Sequence, residues 1–182
     1  MMSGIFTKGR VVGLAIAAFI FAADQWLKHY VIGPLNLRQV GNIELLPFFD
    51  FTYVENRGVS LGLLEATSME MRWLLVAGTA VIALVVLIWM MRERLFGDVL
   101  GLSLILGGAL GNIYDRYFWG YVIDYADLHF GTWRPFLIFN VADACITIGV
   151  VIILVRSLFF SEKTEDDTDT PQTRPAESEY HA

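Results

Sequence analysis

The apolar positions of the chain gather into four long stretches, which polar or aromatic segments separate. A membrane-spanning helix needs about 20 mostly apolar residues, and Trp73 to Met91 supplies such a run without a single charge. The third stretch contains Gly107, Gly108 and Gly111, which would let another helix approach closely. The pattern predicts four spans, at about residues 11–32, 72–91, 98–115 and 136–157.

The first span has a second interpretation, because charged residues interrupt it. Its uninterrupted part covers only residues 11–23 behind two basic residues, a pattern that a cleaved signal peptide shares. Apolar character resumes after Asp24 and Lys28, so residues 11–32 together are long enough to cross a bilayer. We expect a retained helix, with a cleaved signal peptide as the alternative.

The segment between the first and second spans predicts a small β-sheet, at about residues 36–64. Within it, Phe49, Phe51 and Tyr53 alternate with other side chains, as in a half-buried strand. The sequence NRG follows at 56–58 and is typical of a turn. We expect this sheet to rest on the membrane surface.

Two further segments differ in composition from the spans. Residues 117–134 are rich in Trp, Tyr and Phe, which prefer the boundary between membrane and water, so they predict an interfacial loop or short helix. Residues 161–182 hold seven acidic residues against two basic ones and predict a disordered acidic tail. The membrane domain is therefore expected to cover residues 1–160.

Four spans place both ends of the chain on the same side of the membrane. Arg92 and Arg94 lie in the very short connection between the second and third spans, which is on that same side. Short connections that carry Arg and Lys tend to remain in the cytoplasm. We therefore expect both termini to be cytoplasmic.

The composition excludes several classes of function. Hydrophobic residues make up 55% of the 182 residues and charged residues 18%, which is typical of an integral membrane protein. The chain has no clustered basic stripe of the kind that binds nucleic acid. A single cysteine, Cys145, excludes an intrachain disulfide or a CxxC site, and the three histidines lack a metal-ligand spacing. We expect no metal, no other cofactor and no nucleic-acid partner.

Polar side chains interrupt three of the four predicted spans. Asn140 and Asp143 would lie about 7 to 12 Å inside the fourth span, at a rise of 1.5 Å per residue. A carboxylate at membrane depth costs about 2.5 to 3.5 kcal/mol, so an ionisable residue there indicates a function. The other polar residues share helix faces in the first and third spans: Asp24 with Lys28, and Asn112 with Asp115 and Arg116.

Paired carboxylates are the chemistry that these residues could supply. Two close aspartates cannot both ionise easily, so they share one proton and can act as base and acid in peptide hydrolysis. A proton-conducting protein and a purely structural helix assembly are the alternatives from other classes. The residues alone leave four partners open for Asp143: Asp24, Asp115, Asp124 and Asp127.

Five motifs together resemble the bacterial lipoprotein signal peptidases, the type II signal peptidase family. The resemblance extends from about residue 11 to residue 158. Each motif alone is weak, but five motifs in the same order across four spans make a specific match. They are DQWLK at 24–28, NRG at 56–58, GGALGNIYDR at 107–116, VID ending at Asp124 and FNVAD ending at Asp143.

The resemblance implies a four-span α-helical aspartic endopeptidase of the bacterial inner membrane, with a small extracytoplasmic β-sheet that cradles the substrate. Members remove the signal peptide from a diacylglyceryl-modified prolipoprotein by cleaving just before the lipidated cysteine. It also implies cytoplasmic termini and a retained first helix. We expect a monomer whose partners are this lipidated substrate and membrane lipid.

The resemblance also assigns roles to individual residues. It implies that Asp124 and Asp143 are the catalytic pair. Residues matching positions that bind or orient substrate are Asn56, Gly108, Asn112, Arg116 and Asn140, and those matching supporting positions are Asp24, Lys28, Gly58 and Asp115. Leu61 departs from the family pattern, since members often carry an aromatic residue shortly after the turn motif.

Overall fold

The computed structural model describes residues 8–58 and 68–159. Four of its helices are long and apolar enough to cross a membrane, which confirms the predicted four-span architecture. The acidic tail and Leu61 lie outside the described residues. The helices are α1 (Lys8–Ile32), the short α2 (Leu37–Val40), α3 (Met69–Arg92), α4 (Phe96–Phe118) and α5 (Val141–Phe159).

Helix α4 lies at the centre of the bundle and packs against α1, α3 and α5. The predicted close approach at its glycines is confirmed. A Cβ atom at Gly107 would lie 2.7 Å from the carbonyl oxygen of Ala17 in α1, and one at Gly108 would collide with the carbonyl oxygen of Ala142 in α5. These contacts hold α1 and α5 against neighbouring faces of α4 at backbone distance.

A three-stranded antiparallel sheet covers one end of the bundle. Its strands are β1 (Asn42–Leu46), β2 (Phe49–Asn56) and β3 (Val122–Leu128), with β2 in the middle. The predicted alternation in β2 is confirmed, because Phe49, Phe51 and Tyr53 pack on a buried apolar cluster. That cluster includes Val31 of α1, so the sheet is anchored to the first span.

Strand β3 is the main departure from the predicted fold. Residues 122–128 were expected in an interfacial loop or short helix, but they pair with β2, with Asn56 opposite Val122 and Val54 opposite Asp124. Val122, Ile123 and Tyr125 are all almost completely buried. Branched and aromatic side chains suit a pleated, buried surface, and this preference decides the conformation of the segment. Flanking aromatics such as Phe118 and Trp133 are exposed, as an interfacial position requires.

Helix α5 begins later than the apolar pattern predicts. The apolar run that begins at Phe136 predicts a helix from that residue onward. In the structure, however, Phe139 pairs with Ala126 of β3 through two backbone hydrogen bonds of 3.1 and 2.8 Å. The helix starts only at Val141, so Asp143 lies in its first turn and not deep within a span. Pairing with the sheet satisfies the backbone of Phe139 and replaces the extra helical turn.

Candidate active site

Asn140 joins the two aspartates that the fourth span and β3 contribute. Its side-chain amide donates to Asp124 Oδ1 at 2.7 Å, while its own Oδ1 accepts from the backbone N–H of Asp143 at 2.9 Å. The backbone N–H of Asn140 donates in turn to Asp143 Oδ2 at 3.4 Å. This reciprocal pattern is a helix N-cap, which Asn favours. Asn140 therefore caps α5 and holds Asp124 with the same side chain.

Two further asparagines orient the same carboxylates. Asn112 of α4 donates to Asp143 Oδ1 at 2.8 Å, and Asn56 at the end of β2 donates to Asp124 Oδ2 at 3.0 Å. The backbone N–H of Gly58 donates to Asn56 Oδ1 at 3.2 Å, so the predicted NRG turn fixes the orientation of this amide. The Asp124 carboxylate thus accepts from two asparagine side chains, and the Asp143 carboxylate accepts from the side chain of Asn112 and the backbone of Asn140.

The other carboxylates that the sequence left open lie elsewhere. Asp127 accepts from Arg134 Nε at 3.1 Å and from the hydroxyl of Thr52 at 3.4 Å. Asp24 and Asp115 both form ion pairs with Lys28. Asp124 is the aspartate that the structure brings beside Asp143, through Asn140 and through strand β3, which the sequence did not predict.

The two aspartates differ in exposure. Asp124 is 2% exposed, whereas Asp143 is only half-buried. Burial raises the pKa of Asp124 to about 7, and the neighbouring Asp143 carboxylate contributes to the same shift. Amide donors from Asn56 and Asn140 act in the opposite direction but do not cancel it. Near neutral pH, the pair can therefore hold one proton between two carboxylates.

Arg116 ties the end of α4 to the turn after β2. Its guanidinium donates to the carbonyl oxygen of Gly58 at 3.0 Å and to that of Asn112 at 3.4 Å. It also interacts electrostatically with both Asp143 and Asp124. Arg116 thus supplies a half-buried positive charge beside the aspartates and contacts the turn that follows Asn56.

A buried ionic cluster lies behind the aspartates. Lys28 Nζ is 2.8 Å from Asp24 Oδ2 and 2.8 Å from Asp115 Oδ2, and all three side chains are almost completely buried. Gln25, for which the motifs indicate no role, donates to Asp115 Oδ1 at 2.9 Å. A signal for it was present, because an amide side chain beside Asp24 inside a span requires a polar partner.

Gly108, unlike the other residues of the site, has no side chain that could contact the aspartates. Its position is explained by packing, because no Cβ would fit between it and the backbone of α5 at Ala142. Ala142 directly precedes Asp143. The absence of a side chain at Gly108 therefore determines how closely the start of α5 lies to α4.

Charged residues occupy only the two ends of the bundle. The aspartates, Arg116 and the ionic cluster lie at the sheet end, and an ion pair of 2.7 Å joins Arg156 to Asp98 at the other end. Between them, the described parts of the four helices contain no Asp, Glu, Lys, Arg or His. This arrangement is a site at one end and offers no continuous ionisable path across the bundle.

Comparisons with known proteins agree on one family. The family model described as signal peptidase (SPase) II matches residues 16–159. The lipoprotein signal peptidase of Sphingopyxis alaskensis is 54% identical over 151 residues, covering 83% of this chain and 87% of that protein. The corresponding protein of Rhizorhabdus wittichii is 53% identical over 153 residues, covering 84% of this chain and 89% of that protein.

Solved structures of bacterial membrane enzymes share the fold. One superposes with a TM-score of 0.70 at 27% sequence identity and covers 85% of this chain and 93% of its own. A second gives a TM-score of 0.69 at 28% identity and covers 82% of this chain and 94% of its own. The similarity therefore extends over the four helices and the sheet together.

Proposed function

This chain belongs to the signal peptidase II family, and on that premise we propose that it removes the signal peptide from diacylglyceryl-modified prolipoproteins. Cleavage falls just before the lipidated cysteine, and Asp124 and Asp143 activate the water. The observation that supports this proposal best is the bridge through Asn140, whose one side chain contacts Asp124 Oδ1 and the backbone of Asp143.

The mechanism uses the difference between the two aspartates. The half-buried Asp143 carboxylate takes a proton from water as the water oxygen attacks the carbonyl carbon, and Asp124 gives its proton to the carbonyl oxygen. The resulting tetrahedral diol then collapses. Asp124 recovers a proton from one hydroxyl, the carbon–nitrogen bond breaks, and Asp143 passes its proton to the leaving nitrogen. Both groups return to their starting states, as general acid–base catalysis requires.

The neighbouring polar residues prepare this chemistry. Asn112 and Asn56 orient one carboxylate each through their amide donors. Arg116 stabilises negative charge near the pair, because its guanidinium interacts with both aspartates. Groups fixed before the reaction stabilise a developing charge without reorganising, which is a large part of electrostatic catalysis. We assign Asn56, Asn112, Arg116 and Asn140 to orienting the aspartates and the substrate.

The position of the site suits a substrate anchored in the bilayer. Asp143 lies in the first turn of α5, and Asn112 and Arg116 lie near the end of α4, under the sheet. The short connection with Arg92 and Arg94 is at the opposite end of the bundle. By the positive-inside rule, that end faces the cytoplasm. We therefore place the termini in the cytoplasm and the site at the outer surface of the bacterial inner membrane.

Helix α1 is part of the mature enzyme in this proposal. It supplies Asp24, Gln25 and Lys28 to the ionic cluster behind the aspartates. It also packs along α4, where Gly107 meets the backbone of Ala17. If α1 were cleaved off as a signal peptide, the buried carboxylate of Asp115 would lose its contacts with Lys28 and Gln25. The packed core between α1 and α4 would also be opened.

The proposed activity is tested with the purified protein in detergent or lipid and a diacylated prolipoprotein. We expect release of the signal peptide, seen by mass spectrometry as one new amino terminus at the lipidated cysteine. The same polypeptide without the diacylglyceryl group serves as the control and should be cleaved far more slowly. Cleavage at another bond, or no cleavage of the lipidated substrate, would contradict the proposed function.

The activity should depend on pH in a defined direction. The pKa of Asp124 is raised by burial and by Asp143 to about 7, so the shared proton is present below this pH and is lost above it. We expect kcat/KM to fall as pH rises through about 7, because Asp124 then loses the proton that it donates to the carbonyl oxygen. The rate is measured from about pH 5 to about pH 9.

A control is needed to separate this effect from unfolding. Enzyme held at each extreme of pH and returned to the optimum should recover its full activity. A rate that stays constant across the whole range would exclude proton sharing by this pair.

A further inference from the structure

Two backbone amides beside the aspartates bind to the ionic cluster. The N–H of Ala142 donates to Asp24 Oδ1 at 3.0 Å, and the N–H of Ile123 donates to Asp115 Oδ2 at 3.2 Å. Ala142 directly precedes Asp143, and Ile123 directly precedes Asp124. The backbone at each proposed catalytic aspartate is therefore attached to one carboxylate of the cluster.

Lys28 connects these two attachments. Its ammonium is 2.8 Å from Asp24 Oδ2, 2.8 Å from Asp115 Oδ2 and 3.4 Å from Asn112 Oδ1. An ammonium has three N–H donors, and here each can reach a separate acceptor on α1 or α4. The residue is 1% exposed, so water does not compete for these donors. Lys28 thus contacts both carboxylates that accept from the backbone amides of Ala142 and Ile123.

The third contact of Lys28 leads to the aspartates by a different route. Asn112, which accepts from Lys28, donates to Asp143 Oδ1 at 2.8 Å and accepts from Asn140 at 3.3 Å. Asn140 contacts Asp124. Lys28 is therefore connected to both aspartates by hydrogen bonds between side chains, through Asn112 and Asn140, as well as by the two backbone amides.

Stability alone does not explain a lysine at this position. Burying an ion pair costs a desolvation penalty that can exceed the attraction between the charges, and apolar replacements are often as stable. A buried charge with fixed partners does, however, restrict the arrangement of the groups around it. The restriction here falls on the two segments that carry Asp124 and Asp143.

We propose that Lys28 is a positioning residue of this enzyme, which sets the separation of Asp124 and Asp143 by holding Asp24 and Asp115 against the amides of Ala142 and Ile123. The inference rests on the proposed function, since it assigns Lys28 a role in the reaction of those two aspartates. Lys28 does not touch the substrate and acts through the groups that it holds.

The charge of Lys28 gives a second readout. Asp124 is faced by Asp143 from α5, Arg116 from α4 and Lys28 from α1. Burial and Asp143 raise the pKa of Asp124, whereas the ammonium of Lys28 acts to lower it. Removal of this charge should therefore raise the pKa further and move the alkaline limb of the pH profile to higher pH. A residue with only a packing role would leave that limb unchanged.

The test is Lys28→Met in the full-length protein. We expect kcat to fall about 100-fold with KM unchanged, because small misplacements of catalytic groups have effects of this size. We also expect faster amide hydrogen exchange at Ile123 and Ala142. The control is Asp98→Asn, which removes a partly buried ion pair at the far end of the bundle and should leave kcat, the pH profile and both amides unchanged.

The outcomes separate this inference from the proposed function. If wild type does not cleave the lipidated substrate, the function is wrong, and amide exchange at Ile123 and Ala142 still decides whether Lys28 positions those segments. If wild type cleaves and folded Lys28→Met keeps its kcat and its amide protection, the positioning role is wrong.

A second variant covers the case in which Lys28→Met does not fold. Lys28→Met combined with Asp24→Asn and Asp115→Asn removes all three charges but keeps acceptors for both amides. Positioning predicts a folded protein with low kcat and faster amide exchange at Ile123 and Ala142, because Lys28 no longer holds the two acceptor side chains in place. Normal kcat in this folded variant would overturn the proposal.

Discussion

Asp143→Asn and Asp124→Asn are each expected to lower the cleavage rate about 10⁴-fold, the upper range for loss of an acid or base. Asparagine has nearly the shape of aspartate but can neither take a proton from water nor donate one to a carbonyl oxygen. The rate is measured on diacylated prolipoprotein by mass spectrometry. Both variants should bind substrate as the wild type does, so the loss should lie in kcat.

Asp127→Asn is the matched control for this experiment. Asp127 is a buried aspartate on the same strand as Asp124, but its partners are Arg134 and Thr52. We expect it to keep the activity of the wild type. If Asp127→Asn abolished cleavage while Asp124→Asn did not, the assignment of the pair would be wrong. Thermal unfolding of all three variants should remain close to that of the wild type.

Asn140→Ala is expected to give the second large effect, a fall in kcat of at least about 100-fold. The substitution removes the donor to Asp124 Oδ1 and the acceptor for the N–H of Asp143. It also removes the N-cap of α5, which should lower the free energy of unfolding by about 1 kcal/mol. Cleavage kinetics and thermal unfolding measure the two effects separately.

Asn140→Ser separates the two roles of Asn140, which are to cap the start of α5 and to contact Asp124. Serine is a good N-cap, but its hydroxyl is too short to cap α5 and also reach Asp124. We expect the serine variant to recover most of the stability that alanine loses and almost none of the activity. Full activity in Asn140→Ser would show that the bridge to Asp124 is dispensable and that only the cap matters.

The span pattern was predictable because a bilayer imposes a length and an apolar composition that a sequence displays directly. Helices α1, α3 and α4 follow that pattern closely. The start of α5 did not follow it. Phe136 to Phe139 is as apolar as the span beside it, and only its pairing with β3 makes it extended. A contact between distant residues has no signature in local hydrophobicity.

The candidate site could be predicted as a set of polar residues but not as an arrangement. Asp143 and Asn140 stood out because polar residues at membrane depth are costly. Asp124 could not be distinguished from Asp127 by spacing, since both lie in a segment whose aromatic residues suggested a surface loop. The distinction depends on the register of β3 against β2, which places Asp124 opposite Val54. The polar setting of Gln25 is visible in the sequence, but its partners Gly111 and Asp115 lie on another helix and could not be predicted.

The backbone pairing of Phe139 with Ala126 has a consequence for the enzyme in different membranes. Helices respond to a thicker or thinner bilayer by tilting, and a catalytic pair carried by two independent helices would separate as they tilt. Here Asp124 belongs to the sheet, and α5 begins two residues after Phe139, which is hydrogen-bonded to that sheet. The two aspartates therefore move as one unit at the start of α5. Their separation should be insensitive to bilayer thickness, even where the tilt of the spans is not.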